Sequence, residues 1–518
     1  LAGFHGAAHH ARVAELVELD RAQLGIARAR AIARLVERVP KVTKDVADTG
    51  EIGLLLHELK KQRRHKPLRA LFREIPTLLT RLKPCLLMSP LSVAQYLDPA
   101  IGRFDLVVFD EASQIPTADA IGALARGDAA VVVGDSRQLP PTRFFDAGGG
   151  ADDGPPADDE LEELESVLDE CVAARLPELR LRWHYRSKHE DLIAFSNDRY
   201  YGGSLDVFPA AAARVPELGV SWRRIDGVYD RAGTRTNRTE AEAVVAELKY
   251  RLLDPERSKR SIAVVTFSRP QQELILDLLD DARREHPELE AFFADGAAEP
   301  VIVKNLETIQ GDERDVVLFS IGYGPDRDGV LTMNFGPLGK EGGERRLNVA
   351  VTRAREQLVI FSSIDPDQIR EDVSAPGVRH LAELLAYAKA GGQAGGRAEA
   401  HPPATPLTAA IGAALAAKGW TVHHQVGCAG YRLDLAIVDP DEPGRYVLAI
   451  ETDGPAYASA RVARDRDRLR ALVLGSLGWR LHRIWSLDWW HEGEKELQRA
   501  HNAVINAIAK ARAGRKPA

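Results

Sequence analysis

Short, continuous apolar runs, each ending in polar or turn-forming residues, set the terms on which this chain can fold. They fall at residues 85–88, 106–109 and 130–133, and again at 220–225, 262–267, 301–303, 316–321 and 358–362. Runs of this length and texture read as strands buried on both faces, the pattern of a parallel sheet. Helical patterns at 238–252 and 270–284 lie between some of them. Strand alternating with helix predicts an α/β fold with parallel sheets. A Gly- and Asp-rich break at 146–160 separates the two series, and a Gly-, Ala- and Pro-rich stretch at 391–406 reads as a linker.

The length of 518 residues suggests three or four domains. The predicted division is a helical segment at 1–75, a first α/β block at 76–147 and a connecting segment at 148–178. A second α/β block at 179–390, the linker and a C-terminal α/β block at 407–518 complete it. Lys and Arg number 69 against 76 Asp and Glu, a net charge of −7. That excludes a globally basic nucleic-acid coat and leaves room for a local basic groove. With 45% hydrophobic and 28% charged residues, wholesale disorder is excluded. The three cysteines, Cys85, Cys171 and Cys428, are widely spaced and form no CxxC. The expectation is no disulfide framework, no zinc ribbon and a reducing, cytoplasmic setting. No apolar run approaches the ~18 residues a membrane span requires. The basic run Lys60, Lys61, Arg63, Arg64 and Lys66 reads as the solvated face of a helical hairpin in preference to an arm on a nucleic-acid backbone.

Several segments carry chemistry. The run at 106–109 delivers Asp110, Glu111, Ala112 and Ser113. Strand ends in open α/β sheets line the ligand crevice. There an Asp can hold Mg²⁺ and an adjacent Glu can polarise a water for phosphoryl transfer. The next run delivers Gly134, Asp135, Ser136, Arg137 and Gln138, where glycine permits a sharp turn and an amide can sense a phosphate oxygen. In Trp183-His184-Tyr185-Arg186-Ser187, Arg186 offers a planar, permanently charged fork suited to a γ-phosphate. Glu307-Thr308-Ile309-Gln310-Gly311-Asp312-Glu313 lies between two strands, and residues 345–355, Arg345 to Arg355 with Arg353 among them, read as helical and basic. Each segment alone is matched by a bland reading: a polar loop, a strand-end turn or a solvated helix face.

In this order the segments resemble the signature motifs of superfamily 1 helicases, the nonsense-decay-helicase-like branch. DEASQ resembles motif II, GDSRQLPP motif III, WHYRS motif IV, ETIQGDERD motif V and NVAVTRARE motif VI. The resemblance implies two RecA-like domains with ATP in the cleft between them. It makes Asp110 the Mg²⁺ partner, Glu111 the catalytic base, Gln138 the γ-phosphate sensor, and Arg186 and Arg353 the arginine fingers. Gly134, Asp135, Gln310, Gly311 and Glu313 fall on its nucleotide-binding motifs, and Thr308 on a nucleic-acid backbone contact. A complete motor also needs G-x-x-x-x-G-K-[ST] ahead of Asp110. The only Gly-Lys pair, Gly339-Lys340, precedes Glu341 and lies far downstream. The expectation is therefore an incomplete first RecA-like domain whose phosphate loop lies upstream or has been lost.

The C-terminal block places Asp434 in one apolar strand and Glu451 and Asp453 at the end of a second. Carboxylates from two strands can hold Mg²⁺, which activates water and steadies a pentavalent phosphate. With Tyr457, the Arg-Asp run at 464–470 and Gly478-Trp479-Arg480-Leu481-His482-Arg483-Ile484-Trp485, this block resembles the very-short-patch-repair-like branch of the PD-(D/E)xK nucleases. That implies an α/β restriction-endonuclease-like fold. It also implies Asp434 and Glu451 as ligands of Mg²⁺ or Mn²⁺, with Asp453 where many relatives carry the catalytic Lys, and DNA more than RNA as substrate; by strand position all three acids converge, and Asp453 is counted with the metal site. The resemblance places a His after Tyr457, where this chain has Ala458. The arginines of 461–470 could hold phosphates or form helical ion pairs. Trp420, Trp479 and Trp485 read as core. The function expected is an ATP-dependent helicase or translocase fused to a metal-dependent endonuclease-like domain. It would act on DNA with a single-stranded region. The alternatives are a nucleic-acid-binding module with an inactive nuclease domain and a nucleotide switch without unwinding.

Overall fold

The computed structural model describes residues 4–41, 50–141, 166–212, 215–294, 296–370, 372–392, 404–428 and 430–514. The chain divides into two compact units, one of Glu18–Arg180 and the other of Leu1–Val17 with Leu181–Ala518. The Gly- and Asp-rich break and most of the 391–406 linker lie outside the described residues.

In the unit Glu18–Arg180, strands β1 (Val107–Phe109) and β2 (Ala130–Val132) pair in parallel, Phe109 beside Val132. Helix Thr117–Leu124 crosses between them, and Phe109, Ala112, Ala120, Ala123 and Val167 form the core beneath. A second cluster, Ile75, Leu78, Leu79 and Leu97, gathers the short helices of residues 50–96. Residues 85–88, expected as a strand, are extended without a ladder partner. An apolar run becomes a strand only where a neighbouring backbone answers its N–H and C=O groups. The basic run is partly neutralised: Lys61 pairs with Glu58 and Lys66 with Glu74.

The other unit holds two sheets. The first is a five-stranded parallel sheet of β3 (Gly219–Arg224), β4 (Ile262–Thr266), β5 (Ile302–Asn305), β6 (Arg314–Ser320) and β7 (Ala354–Ser362). Its spatial order is β3-β7-β6-β4-β5. Helices Arg238–Leu253 and Arg269–Glu285 start at Asn237 and Ser268, whose side chains accept from Glu240 N and Gln271 N. Those caps satisfy donors that a helix start leaves unpaired. The two helices bury Val244, Leu248, Ile275 and Leu279 against Val264, Leu318 and Val359. Residues 345–355 are not one helix. Helix Gly343–Val351 ends at Thr352, whose hydroxyl donates to the Asn348 and Val349 carbonyls. Arg353 is the joint, and Arg355 lies in β7, where the β-branched run Val359-Ile360 pairs with β6.

The second sheet has β8 (Val422–Cys428), β9 (Tyr431–Val438), β10 (Tyr446–Thr452) and β11 (Leu481–Ile484) in the order β11-β10-β9-β8. Only β10 and β11 are parallel. Helices Pro406–Ala417 and Ser486–Gly514 cover one face through Ile411, Leu415, Leu497 and Val504. The other face is closed by Leu474, Trp479 and Phe208. Phe208 belongs to a segment that the sequence places with the first sheet. There Trp479 Nε1 donates to Pro209 O at 2.8 Å, and Tyr446 N donates to Ala211 O at 3.0 Å. Trp479 and Trp485 are core, as read from the sequence.

Beside the carboxyl ends of β6 and β7, Glu240 is wholly buried with no cation at hand. Its oxygens accept from Ser320 Oγ and Gly322 N at 2.7 Å and from Ser363 Oγ at 3.4 Å. Burial pushes its carboxyl up to about 7. The folded state thus keeps a proton that the unfolded chain releases near pH 4.5. Stability is full below that pH, falls as pH rises toward 7 and levels off above it. The total is about 3 kcal/mol at 1.36 kcal/mol per pKa unit. Glu240→Gln keeps an accepting oxygen and removes the titration. Thermal unfolding at pH 5 and pH 8 should show a smaller pH difference in the variant, which should be the more stable protein at pH 8.

Candidate functional site

In the unit Glu18–Arg180 the acid pair follows β1. Asp110 is exposed, and its Oδ1 accepts the Glu111 N–H at 3.1 Å. Glu111 takes a left-handed backbone, φ 52°, a strained conformation for a non-glycine residue. The turn is held from both sides: Ala112 N donates to Val133 O, and Gln114 N to Glu111 O, each at 2.9 Å. Gly134 follows β2, and a Cβ there would stand 3.0 Å from Ser113 N and 3.1 Å from Ala112 N. Glycine is what lets the two strand ends approach. Asp135 then accepts from Arg137 N at 2.9 Å and from Gln138 Nε2 at 3.2 Å. Asp110, Glu111, Gly134, Asp135 and Gln138 therefore share the carboxyl ends of two neighbouring parallel strands.

In the other unit Arg186, Glu313 and Arg353 come together at the amino ends of β6 and β7. Arg186 Nε donates to Glu313 Oε2 at 2.5 Å and its Nη1 to Thr352 O at 3.5 Å. Arg353 is buried, its Nε bonded to Val349 O at 2.7 Å. Gly311, φ +88°, has open space where a Cβ would stand, and Gln310 Nε2 is buried without a partner. Thr308 is exposed, and its hydroxyl donates to Asn305 Oδ1 at 3.0 Å. His184 accepts from Ser187 N at 3.2 Å, and burial lowers it to about 4, so it is neutral.

The second sheet carries a pocket of about 160 Å³. Side chains two apart along a strand share a face. Asp434 and Ala436 on β9, Ala449 and Glu451 on β10, and Leu481 and Arg483 on β11 therefore line up, with Glu451 beside Arg483. Asp434 Oδ2 accepts from Thr452 N at 2.8 Å and Thr452 Oγ1 at 2.7 Å. Glu451 receives Arg470 Nε at 2.7 Å on one oxygen and Arg483 Nη2 at 3.1 Å on the other. Arg483 reaches on to Asp467, which also takes Arg466 and the Tyr457 hydroxyl. Arg466 and Arg483 lie over the Tyr457 ring, and Arg470 over Tyr431.

Asp453 does not join this group. Both its oxygens are taken by Ser486, N and Oγ each at 2.8 Å, at the start of helix Ser486–Gly514. β10 ends at Thr452, so Asp453 lies beyond the strand and does not follow its alternation. Among the described residues no group of three His, Cys, Asp or Glu gathers as a metal site. His482 is no substitute for the residue at Ala458: it faces away from Arg483's side, and burial lowers it to about 4. The arginine run is not simply a set of helical pairs. Arg464–Leu469 forms a π-helical turn, a wider winding often found at functional sites. It places Asp465 and Arg466 in the pocket wall, joined by Arg470 just after it, and buries Asp467 behind them. Sequence reasoning missed the roles of Asp467, Arg470 and Arg483, whose signal was the Arg-Asp alternation and the odd-numbered face of β11. It also missed Trp183 and Phe208, which line the pocket and carry no sequence signal for that position.

Asp467 is nearly fully buried between Arg466 and Arg483. Removing one partner of a buried pair leaves an uncompensated charge. Asp467→Asn should cost roughly 3 kcal/mol, read as a lower denaturant midpoint in chemical unfolding followed by tryptophan fluorescence.

Comparison with known proteins agrees with both motif resemblances. Residues 164–365 match the AAA_12 family model, an AAA domain, and residues 408–504 match the REase_MTES_1575 model. An uncharacterized ATP-dependent helicase of Mycoplasma genitalium, MG140, is 34% identical over 62% of this chain and 28% of its own length. Its Mycoplasma pneumoniae homolog is 34% identical, with the same shares. The mouse 5'-3' DNA helicase ZGRF1 is 29% identical over 51% of this chain and 13% of its own length. The chain thus spans under a third of the length of each of these three relatives. The part that holds the five-stranded sheet is similar to an AAA domain, and the C-terminal part to the REase_MTES_1575 model.

Proposed function

We propose that the chain works as part of an ATP-driven superfamily 1 motor carrying a nuclease domain, with DNA that includes a single-stranded region as substrate. The observation that carries the motor is the gathering of Arg186, Glu313 and Arg353 at one end of β6 and β7. The acid pair and Gln138 stand at the strand ends of the other unit. In this reading Asp110 holds the nucleotide's Mg²⁺, and Glu111 takes the proton of the attacking water. Gln138, already oriented by Asp135, contacts the γ-phosphate. Arg186 exchanges Glu313 for phosphate oxygens, one anionic partner for another, and Arg353 adds a second guanidinium. Gln310, Gly311 and Thr308 face nucleotide and strand. ATP affinity that differs between open and closed lobes then drives the motion. A reducing, cytoplasmic setting fits Cys85, Cys171 and Cys428, which form no disulfide, and no described helix is long and apolar enough to cross a membrane.

The nuclease reading rests on Asp434 and Glu451. Two carboxylates facing one pocket form an oxygen donor set that suits a hard divalent cation. Asp434 and Glu451 fit that role and Asp453, spent on Ser486, does not. A bound Mg²⁺ or Mn²⁺ supplies Lewis-acid activation of water. The chain itself supplies Arg470 and Arg483, which orient Glu451 and present N–H groups to a phosphate. The Tyr431 hydroxyl, buried without a partner, lies in the same wall. One observation favours the second reading, binding without cleavage: both Glu451 oxygens are already paired with guanidinium groups.

Two measurements test the proposal. With Mg²⁺ or Mn²⁺, the chain should nick single-stranded DNA, and Glu451→Gln or chelation should abolish cleavage. Binding with no cleavage under either ion selects the second reading. In a protein that includes a phosphate loop, Arg186→Ala should slow ATP turnover by about 10³-fold, the scale of an arginine finger. A loss below about tenfold removes Arg186 from that role.

A further inference from the structure

The pocket around Asp434 and Glu451 is not built by the C-terminal domain alone. Trp183 and Phe208 line it together with Tyr431. Trp183 meets Phe208 edge-on at 5.4 Å, and Phe208 lies 4.0 Å from Tyr431 at 44°. The platform is fixed, because Asp206 N donates to Arg182 O at 2.7 Å and His184 N to Asp206 O at 3.1 Å. Trp183 nevertheless stays 44% exposed, unlike Trp479 and Trp485, which the core consumes. An indole fixed in a pocket lining with much of its surface open to water offers a face on which a base can stack. The same pocket is also lined by Arg466, Arg470 and Arg483 beside the carboxylates, Arg470 lying over the Tyr431 ring.

We propose that this composite pocket takes one unpaired nucleotide of single-stranded nucleic acid, its base on Trp183 and its phosphate toward Arg470 and Arg483. A base inside a duplex has both faces covered by its neighbours, so only an unstacked base can use the indole. The guanidinium groups of Arg466, Arg470 and Arg483 are already answered by Glu451 and Asp467. The pocket therefore has no surplus positive charge, and stacking must supply a large share of the affinity there. The aromatic half of the site comes from the segment that also carries Arg186, so the domain that cuts borrows its base contact from the domain that moves.

This inference rests on reading the pocket as a nucleic-acid site, and its test separates the two. The intact chain is irradiated with a short oligothymidylate carrying 5-iododeoxyuridine, and the adduct is mapped by mass spectrometry. The same probe annealed to its complement serves as the duplex. The expected result is an adduct on Trp183 with the single strand, none with the duplex, and loss of that adduct in Trp183→Leu. An adduct map that omits Trp183, or one unchanged by annealing, overturns the proposal. Cleavage of the same probe with Mg²⁺ is scored separately. A Trp183 adduct without cleavage supports the binding site and removes the nuclease activity. Cleavage with no Trp183 adduct does the reverse.

Discussion

A carboxylate removed from water needs either a cation or a proton, and that constraint orders most of what is functional in this chain. Glu451 and Asp467 are answered by Arg470, Arg483 and Arg466. Glu313 is answered by Arg186, and the buried Glu247 by Arg251 and Arg223. Glu240 has no such partner and keeps its proton instead. Where an arginine does the answering, the pair can be exchanged, because two oxygens of a tetrahedral phosphate accept the guanidinium fork as the two oxygens of a carboxylate do. The groups that hold the fold neutral in its resting state are thus the groups a nucleic acid or nucleotide would engage.

Much of this was legible in the sequence because the relevant patterns are local. Continuous apolar runs marked β4, β6 and β7, since burial on both faces leaves no room for polar alternation. Asp434 and Glu451 could be paired in advance because acids at equivalent strand positions converge by the two-residue period of a strand. The same period misled at Asp453. It shares Glu451's face in an ideal strand, but β10 ends at Thr452 and the backbone turns toward Ser486. Residues 85–88 misled for a different reason: apolar composition specifies burial, and only a neighbouring backbone specifies a strand. The joint at Thr352–Arg353 was hidden because a basic, helix-compatible run gives no notice that its second half will be claimed by β6.

The least legible feature is the segment 206–212. Its residues are Asp206, Val207, Phe208, Pro209 and a run of small alanines, with no periodicity to announce a partner. Its role exists only through contacts across some two hundred positions of sequence. Phe208 completes an apolar face that β9 and β10 leave open, and Pro209 O takes the Trp479 indole N–H. Such long-range closure is set by what the opposing surface lacks, which no window of the sequence contains.

That segment gives the C-terminal domain a border in space that differs from its border along the chain. A piece cut at the Gly-Ala-Pro linker would carry both strands of acids yet lose Phe208 from the cluster that covers Trp479, Leu433 and Leu474, and the Pro209 acceptor of the Trp479 indole. Moving this domain intact onto another scaffold would mean carrying the segment 206–212 along with it. The two modules thus share one hydrophobic seam, of Phe208 with Leu433, Leu474 and Trp479.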